Sequence, residues 1–472
     1  MSQSNALVPL RPAFAIRHDL RQAHSLPFAE HLPAELIHRT AHRLGVFFRE
    51  RIYTPAVTLG TFLSQVLDPD HSCRKAVARR LAFRTGRGLR PCSPDNGGYG
   101  KARRRLPEKL LRERTRHTGR QVAAQAPSGW LWKGRPVQVV DGTGLSMPDT
   151  KANQKAYPKS KKLPAGVGFP LLRLVVVFNL AVGTVLEAAM GCRSGKGTGE
   201  QSLLRSLWEQ LQLGDVLLGD SLYGDFFTLA RAQARGIDVV PRPAAGREPI
   251  RFQGQRADNV RVCWIKPERP DWMRQWEYDR LPRYLHLRAV RLLVRRVGFR
   301  TKRLVVVTTL TDATAVTGAD LAELYRRRWQ AELYRRDLKQ SLQMDILRGK
   351  SPEMVRKEVW VHVLVYNLVR WVMVQAAVQA GVRADEVSFT GALQTVDAFR
   401  PEMRAVRTAA EAQGLWQVLV WAVGEPRVGQ RPDRYEPRAV KRRPKNFPRL
   451  NEPREAARCR LRRRAKRATR KR

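Results

Sequence analysis

The chain reads as an α/β protein: a ribonuclease-H-like mixed sheet flanked by helices, interrupted by a β insertion and preceded by a helical N-terminal domain. Three observations predict this. Between residues 136 and 241 the apolar and polar patterning gives the order β-β-β-α-β-α-β, the order of that fold. The segment 242–310 then breaks into valine- and leucine-rich runs with strand periodicity, and helical periodicity returns at Gly318. Finally, the text from about Phe28 to Ala124 is helical and basic.

Each element has its own signal. Residues 136–141 (PVQVVD), 170–179 (PLLRLVVVFN) and 182–190 (VGTVLEAAM) read as three strands, and 199–213 as a helix. Residues 215–220 (DVLLGD) read as a fourth strand, 223–235 as a helix and 237–241 (IDVVP) as a fifth strand. In the insertion, VRVCWI, YLHLRAVRLLVRRV and RLVVVTTL read as antiparallel strands, with a GFRTK turn before the last. Near the N-terminus, TLGTFLSQVL and CRKAVARRLAFR read as two helices joined by DPDHS, with Ser72 as N-cap of the second. Such a pair suits a helix-turn-helix DNA reader or an ordinary helical hairpin. These segments divide the chain into a flexible terminus (1–24), a helical DNA-binding domain (25–130) and a first part of the catalytic core (131–241). The β insertion (242–310), a second part of the core (311–400) and a C-terminal helix with a basic tail (401–472) follow. The block 454–472 carries 11 Lys or Arg in 19 positions and reads as a disordered electrostatic arm.

Composition narrows the function. The 472 residues include 88 Lys and Arg against 42 Asp and Glu, a net charge of +46 that repels itself and attracts polyanions. Nucleic acid is the natural partner, because phosphate contacts release condensed counterions. Five scattered cysteines without a C-x-x-C pair fit a reducing compartment and exclude a zinc ribbon or a disulfide framework. No signal peptide is visible at the N-terminus. The apolar stretch 359–380 carries His362, Asn367 and Arg370, which predicts a helix buried in a soluble core rather than a membrane span. A cytoplasmic, nucleoid-associated protein follows. The glycine-rich segment 191–200 (GCRSGKGTGE) lacks the G-x4-G-K-S/T spacing of a phosphate-binding loop and reads as a mobile connection.

Three carboxylates carry the chemistry. Asp141 and Asp220 end the first and fourth predicted strands, where side chains point into a crevice and not into the core. Asp215 and Asp225 flank Asp220, but only Asp220 closes the apolar run. Glu332 lies in a helical segment with Tyr325, Arg328 and Lys339. Offsets of three, seven and fourteen residues from Tyr325 place all four within about 60° of one helix face. Phosphodiester transfer must stabilise charge on both the attacking and the leaving oxygen, and two hard cations on carboxylate oxygens do both. A basic pair at Arg328 and Lys339 would hold phosphates, and Tyr325 would bond a phosphate or stack on a displaced base.

Tyr325, Arg328, Glu332 and Lys339 match the Y-x2-R-x3-E-x6-K signature of the DDE transposases of bacterial insertion sequences, and the chain resembles the insertion sequence 4 family. That family's first aspartate stands in a D-G-T or D-S-T context, here Asp141-Gly142-Thr143. Its second closes a strand at G-D before a tyrosine and glycine, here Gly219-Asp220 and Tyr223-Gly224. The family also carries a β insertion between the second aspartate and the glutamate. The resemblance implies Asp141, Asp220 and Glu332 as catalytic residues binding two Mg2+ (or Mn2+) ions. It also implies DNA as the partner, both element terminal repeats and target, and a homodimer on DNA. Some relatives hold a flipped base on a tryptophan of the insertion, for which Trp264, Trp272 and Trp276 are candidates, Trp272 foremost. The competing readings are a nuclease of the same fold that cuts without joining, and a basic DNA-binding protein without catalysis.

Overall fold

The computed structural model describes residues 31–48, 51–159, 167–244, 259–294, 302–406, 408–428 and 451–469. The flexible terminus expected over 1–24, the GFRTK turn and the part of the basic tail over 429–450 lie outside the described residues.

Five helices open the described chain: α1 (Ala34–Arg43), α2 (Pro55–Leu67), α3 (Cys73–Gly86), α4 (Gly97–Arg105) and α5 (Glu108–Ala124). Helix α2 is capped by Thr54 and is buried along its whole length, so it is a core helix. Helix α3 starts where Ser72 accepts a hydrogen bond from the Lys75 amide, the cap the sequence predicts.

The central sheet follows. Strand β1 (Val137–Ser146) leads through α6 (Lys151–Ala156) to β2 (Leu171–Asn179) and β3 (Val185–Cys192). Then come α7 (Glu200–Arg205), β4 (Val216–Leu218), α8 (Phe226–Gln233) and β5 (Asp238–Val240). Sheet order is β3-β2-β1-β4-β5, with β1–β2 and β2–β3 antiparallel and β1–β4 and β4–β5 parallel. The helix expected over 199–213 is shorter: α7 stops at Arg205, and a 3-10 turn covers Trp208–Gln210. Another 3-10 turn, Ser221–Tyr223, precedes α8.

A second, antiparallel sheet is built by β6 (Asn259–Ile265), β7 (Tyr284–Val294) and β8 (Lys302–Thr308), with α9 (Gln275–Asp279) between β6 and β7. It joins the first at β5, where the Val307 amide donates to the Pro241 carbonyl. Helices α10 (Gly318–Arg327), α11 (Trp329–Arg336), α12 (Pro352–Gln379), α13 (Phe389–Ala405), α14 (Ala409–Gly424) and α15 (Arg454–Thr469) complete the order.

Alternation along β2 shows how the sheet is sandwiched. Leu172, Leu174, Val176 and Phe178 pack with α5 and α12 on one face. Val175 and Val177 pack with α7 and α8 on the other. Helix α12 is long and apolar enough to cross a membrane, yet most of it is buried inside the protein. Three of its buried polar residues find partners there. Asn367 bonds the backbone of Val185 and Thr115, Arg370 bonds Tyr366, and His362 bonds the Glu358 carbonyl.

Burial, with His71 beside it, pushes the His362 pKa down from 6.5 to about 3. The folded form therefore stays neutral where the unfolded chain takes up a proton. Stability is full above pH 6.5 and falls as the pH drops toward 3, by up to about 1.4 kcal/mol per pH unit for this proton. Urea melts from pH 7 to 5 should show a shallower acid loss in His362→Leu. An identical slope would show that His362 does not drive it.

The structure corrects two expectations. The basic block expected to be disordered is helical from Arg454 to Thr469, because Arg, Lys, Ala and Glu are strong helix formers. Arg458 pairs with Glu455 at 2.7 Å, and Arg460 pairs with Glu452. The segment carrying Tyr325 to Lys339 is also not one straight α-helix. It tightens at Arg328, whose amide bonds the Tyr325 carbonyl three residues back, and becomes a π-helical turn over Asp337–Ser341. Face arithmetic at 100° per residue therefore holds from Arg328 to Glu332 but not on to Lys339.

Candidate carboxylate site

Asp141 does not end its strand, as the sequence suggested. Strand β1 continues to Ser146 because β2 pairs with it throughout and Ser146 is tied to the segment after the π-turn, through the Asp345 carbonyl and the Leu347 amide. Only the β4 side of β1 runs out. The last rung there is Val139–Leu218. Asp141, still on β1, and Asp220, capping the turn after β4, each stand two residues beyond that rung, where a notch opens beside β1.

Both aspartates fall on one face by parity. Asp141 follows Val137 and Val139, and Asp220 follows Val216 and Leu218. Those four apolar residues pack with Leu321, Leu324, Tyr325 and Ala331 of α10 and α11. Helix α11 packs on β1 and carries Glu332. It is seated by Tyr334, which is buried and donates to the Leu180 carbonyl at 3.1 Å. The same turn of helix presents Glu332 and Arg335.

The charges are neutralised locally. Arg335 Nε lies 2.7 Å from Asp141 Oδ2, but the two groups are not oriented for a hydrogen bond, and both atoms are buried without one. Asp141 Oδ1 accepts from the Gly142 amide at 3.0 Å. Arg328 reaches Glu332 at 3.4 Å. Asp220 is exposed and accepts from the Leu222 amide at 2.8 Å. Burial raises the Asp141 pKa above the usual aspartate value. Arg335, the Gly142 amide and Arg328 oppose that rise, and the Glu332 charge adds to it. Burial likewise raises Tyr325, whose hydroxyl feels Arg328, Arg242 and Asp220. Asp141, Glu332 and Arg328 therefore act on one another, and Tyr325 feels both Arg328 and Asp220. Among the described residues, no three His, Cys, Asp or Glu side chains are gathered closely enough to hold one ion.

The remaining predicted residues are placed as follows. The Tyr325 ring is buried, with the Arg328 guanidinium 5.8 Å from its centroid, so only its hydroxyl end is a polar contact. Lys339 sits half-buried on the π-turn. Trp272 is 41% exposed, with Arg205 3.8 Å over its ring and Phe227 edge-on at 5.8 Å, so the loop between β6 and β7 is anchored to α7 and α8. Trp276 is exposed beside Arg280, and Trp264 packs partly buried in the core shared with β7. Asp215 and Asp225 have structural partners: Asp215 accepts from Gln212 and Gln138, and Asp225 caps α8 through Thr228. Sequence reading missed Arg335 and Glu200. Arg335 stands three residues after Glu332, and that spacing alone could have flagged it.

Residues 132–368, half of the chain, match the family model described as the transposase DDE domain. The transposase InsG for insertion sequence element IS4 of Escherichia coli (strain K12) is 28% identical over 359 residues, covering 74% of this chain and 76% of that protein. A piggyBac transposase, solved by cryo-electron microscopy as a synaptic complex with hairpin DNA, aligns at 9% identity with a TM-score of 0.42, covering 85% of each chain. The family match spans β1, β4 and α11 with their three acidic residues, and the chain belongs to the transposase DDE-domain family.

Proposed function

We propose that this protein is an insertion-sequence transposase. It binds the ends of its element, cuts the DNA strands there and joins the freed 3′ ends to target DNA. The observation that carries the reading is the placement of Asp141 and Asp220 beyond one rung of adjacent parallel strands, facing the helix that bears Glu332. Net charge +46 supports DNA as the partner. The strand order, with three antiparallel strands followed by two parallel ones, supports a ribonuclease-H-like core. We read 25–130 as the helical DNA-binding domain, 131–241 and 311–400 as the two parts of that core, and 242–310 as its β insertion. A DNA-assembled homodimer acting at the nucleoid completes the reading.

DDE transposases use divalent metal ions, and the chemistry of the donor set suits Mg2+ or Mn2+, although cation binding would have to draw the three carboxylates closer than they stand here. All three side chains offer hard oxygens, and Asp141 Oδ2 is buried without a hydrogen-bond donor. Bound there, such ions supply charge stabilisation at the attacking and leaving oxygens. The protein's own residues do the rest. Asp141, Asp220 and Glu332 would hold the ions, taking the place of Arg335 beside Asp141 and of Arg328 beside Glu332. Arg328, with Lys339, would bond the phosphate beside the cut, and the Tyr325 hydroxyl would position Arg328. Trp272 offers the stacking surface for an extruded base, supported by Arg205.

A strand-transfer assay on the element's own ends, with Mg2+ or Mn2+, tests this. Joined products support it. Cleavage without joining would make the protein a nuclease, and binding without either would make it a DNA-coating protein.

The basic C-terminal helix gives a separate expectation. Removing 454–472 deletes 11 basic residues, so DNA binding should weaken. The slope of log K against log salt should become shallower by roughly 0.9 for each phosphate that the helix neutralises. Binding isotherms between 50 and 200 mM salt (about the range over which such slopes are read) measure it. An unchanged slope would show that this helix does not touch phosphate.

A further inference from the structure

The glycine-rich loop that lacks phosphate-binding spacing ends at Glu200, and the structure brings that residue to the notch. We infer that Glu200 is a fourth carboxylate of the cation site, holding the metal from the opposite face of β1. This rests on the reading of Asp141 and Asp220 as cation ligands.

Three observations carry it. The first is contact. A Cβ built on Gly142 would lie 2.2 Å from Glu200 Oε2 and 2.3 Å from its Cδ. The carboxylate therefore lies directly against the residue that follows Asp141. The second is the loop that delivers it. Gly195 and Gly197 take positive φ values of 129° and 77°, and the Thr198 carbonyl accepts from Arg173 of β2. The chain is thus folded back onto the sheet before α7 begins. The third is Tyr223. It is 1% exposed, yet its hydroxyl has no hydrogen-bond partner. Three carboxylates act on that hydroxyl, Glu200 most strongly, then Asp220 and Asp141. A buried donor lacking an acceptor among converging carboxylates marks a place where a ligand oxygen belongs.

The bland alternative is a solvated glutamate in the first turn of a helix. Its contacts argue otherwise. Its ion-pair partner, Arg173 Nε, is 4.0 Å away, too far to neutralise it well. The notch is reachable from both faces because β4 ends at Leu218, two residues short of Asp220. A hard dication takes six or more oxygen ligands, so a fourth carboxylate has a coordination position to fill.

Titration of free Mn2+ by electron paramagnetic resonance on the full chain tests this, using wild type, Glu200→Gln, Glu200→Asp and Asp141→Asn. Melting in EDTA checks that each variant is folded. Glu200→Gln should weaken Mn2+ binding at least about tenfold, and Glu200→Asp should fall between it and wild type. Asp141→Asn should weaken binding at least as much. Loss in Asp141→Asn with wild-type affinity in Glu200→Gln overturns the inference and leaves the catalytic reading standing. Wild-type affinity in all three variants overturns both. If Glu200→Gln does not fold, Glu200→Asp decides alone, since a shortened carboxylate with unchanged affinity is not a ligand.

Discussion

Glu332→Gln should abolish strand cleavage while leaving DNA binding intact. The substitution keeps the shape of the side chain and removes one negative charge. Glu332 is about one-third exposed and pairs with Arg328 through a single 3.4 Å contact, so the fold should lose little. What the variant loses is a hard, charged oxygen close enough to act on Asp141. A cation pair held by three carboxylates depends on each of them, and a drop of at least about a hundredfold in cleavage rate is expected from removing one. Gel-shift titration with element ends should give wild-type affinity, because phosphate contacts come from the basic residues. Single-turnover cleavage in Mg2+ reads the chemistry. Wild-type cleavage in Glu332→Gln would remove Glu332 from the site and with it the carboxylate triad as the basis of catalysis.

The sign of the effect on binding adds a second check. Removing Glu332 frees Arg328, which then has no carboxylate competing for it. DNA affinity should therefore hold or rise slightly. A large fall in affinity would mean that Glu332 organises the basic face and does not hold metal.

The sequence revealed much of this because β1, β2 and β4 are buried strands with short, valine-rich signatures. The eight strands appear where apolar runs predicted them, and the two aspartates follow such runs. Boundaries were harder to read. Strand β1 extends five residues past Asp141, because its pairing with β2 is set by long-range contacts that local pattern does not encode. The Gly142 and Gly144 positions in that extension look like a turn in sequence and are strand in fact. At Gly142 the Glu200 carboxylate packs where a side chain would otherwise stand. The π-turn at Asp337–Ser341 was equally hidden. Asp337 is buried there against Arg370 of α12, at 3.5 Å, and this tertiary pairing shifts the helical register. That is why Lys339 could be identified by spacing but not placed by geometry. Arg335 and Glu200 were missed because neither lies on the signature: one is a neighbour on the helix, and the other arrives from the far side of the sheet.

Asn367→Leu should be the most damaging single change to the fold, costing about 3 kcal/mol or more. Asn367 lies in the middle of α12 and is completely buried. Its Oδ1 accepts from the Val185 amide at 2.7 Å, and its Nδ2 donates to the Val185 and Thr115 carbonyls at 2.8 and 3.1 Å. One side chain thus ties the central helix to β3 and to α5. Leucine is similar in size but leaves the buried Val185 amide and carbonyl without those partners, at about 1–3 kcal/mol for each orphaned group, and removes a second donor from the helical Thr115 carbonyl. Nothing nearby can relax to compensate. Gly119 of α5 packs so closely that a Cβ there would sit 2.1 Å from the Val185 carbonyl oxygen and 2.9 Å from Asn367 Nδ2. Helix, strand and helix therefore meet with no room for a bridging water. The consequence reaches the site, since β3 pairs with β2 and β2 with β1, which carries Asp141. Guanidinium unfolding of Asn367→Leu beside wild type measures the effect. A difference below about 1 kcal/mol, within the range of an ordinary surface substitution or little above it, would show that these hydrogen bonds do not hold α12 against the sheet.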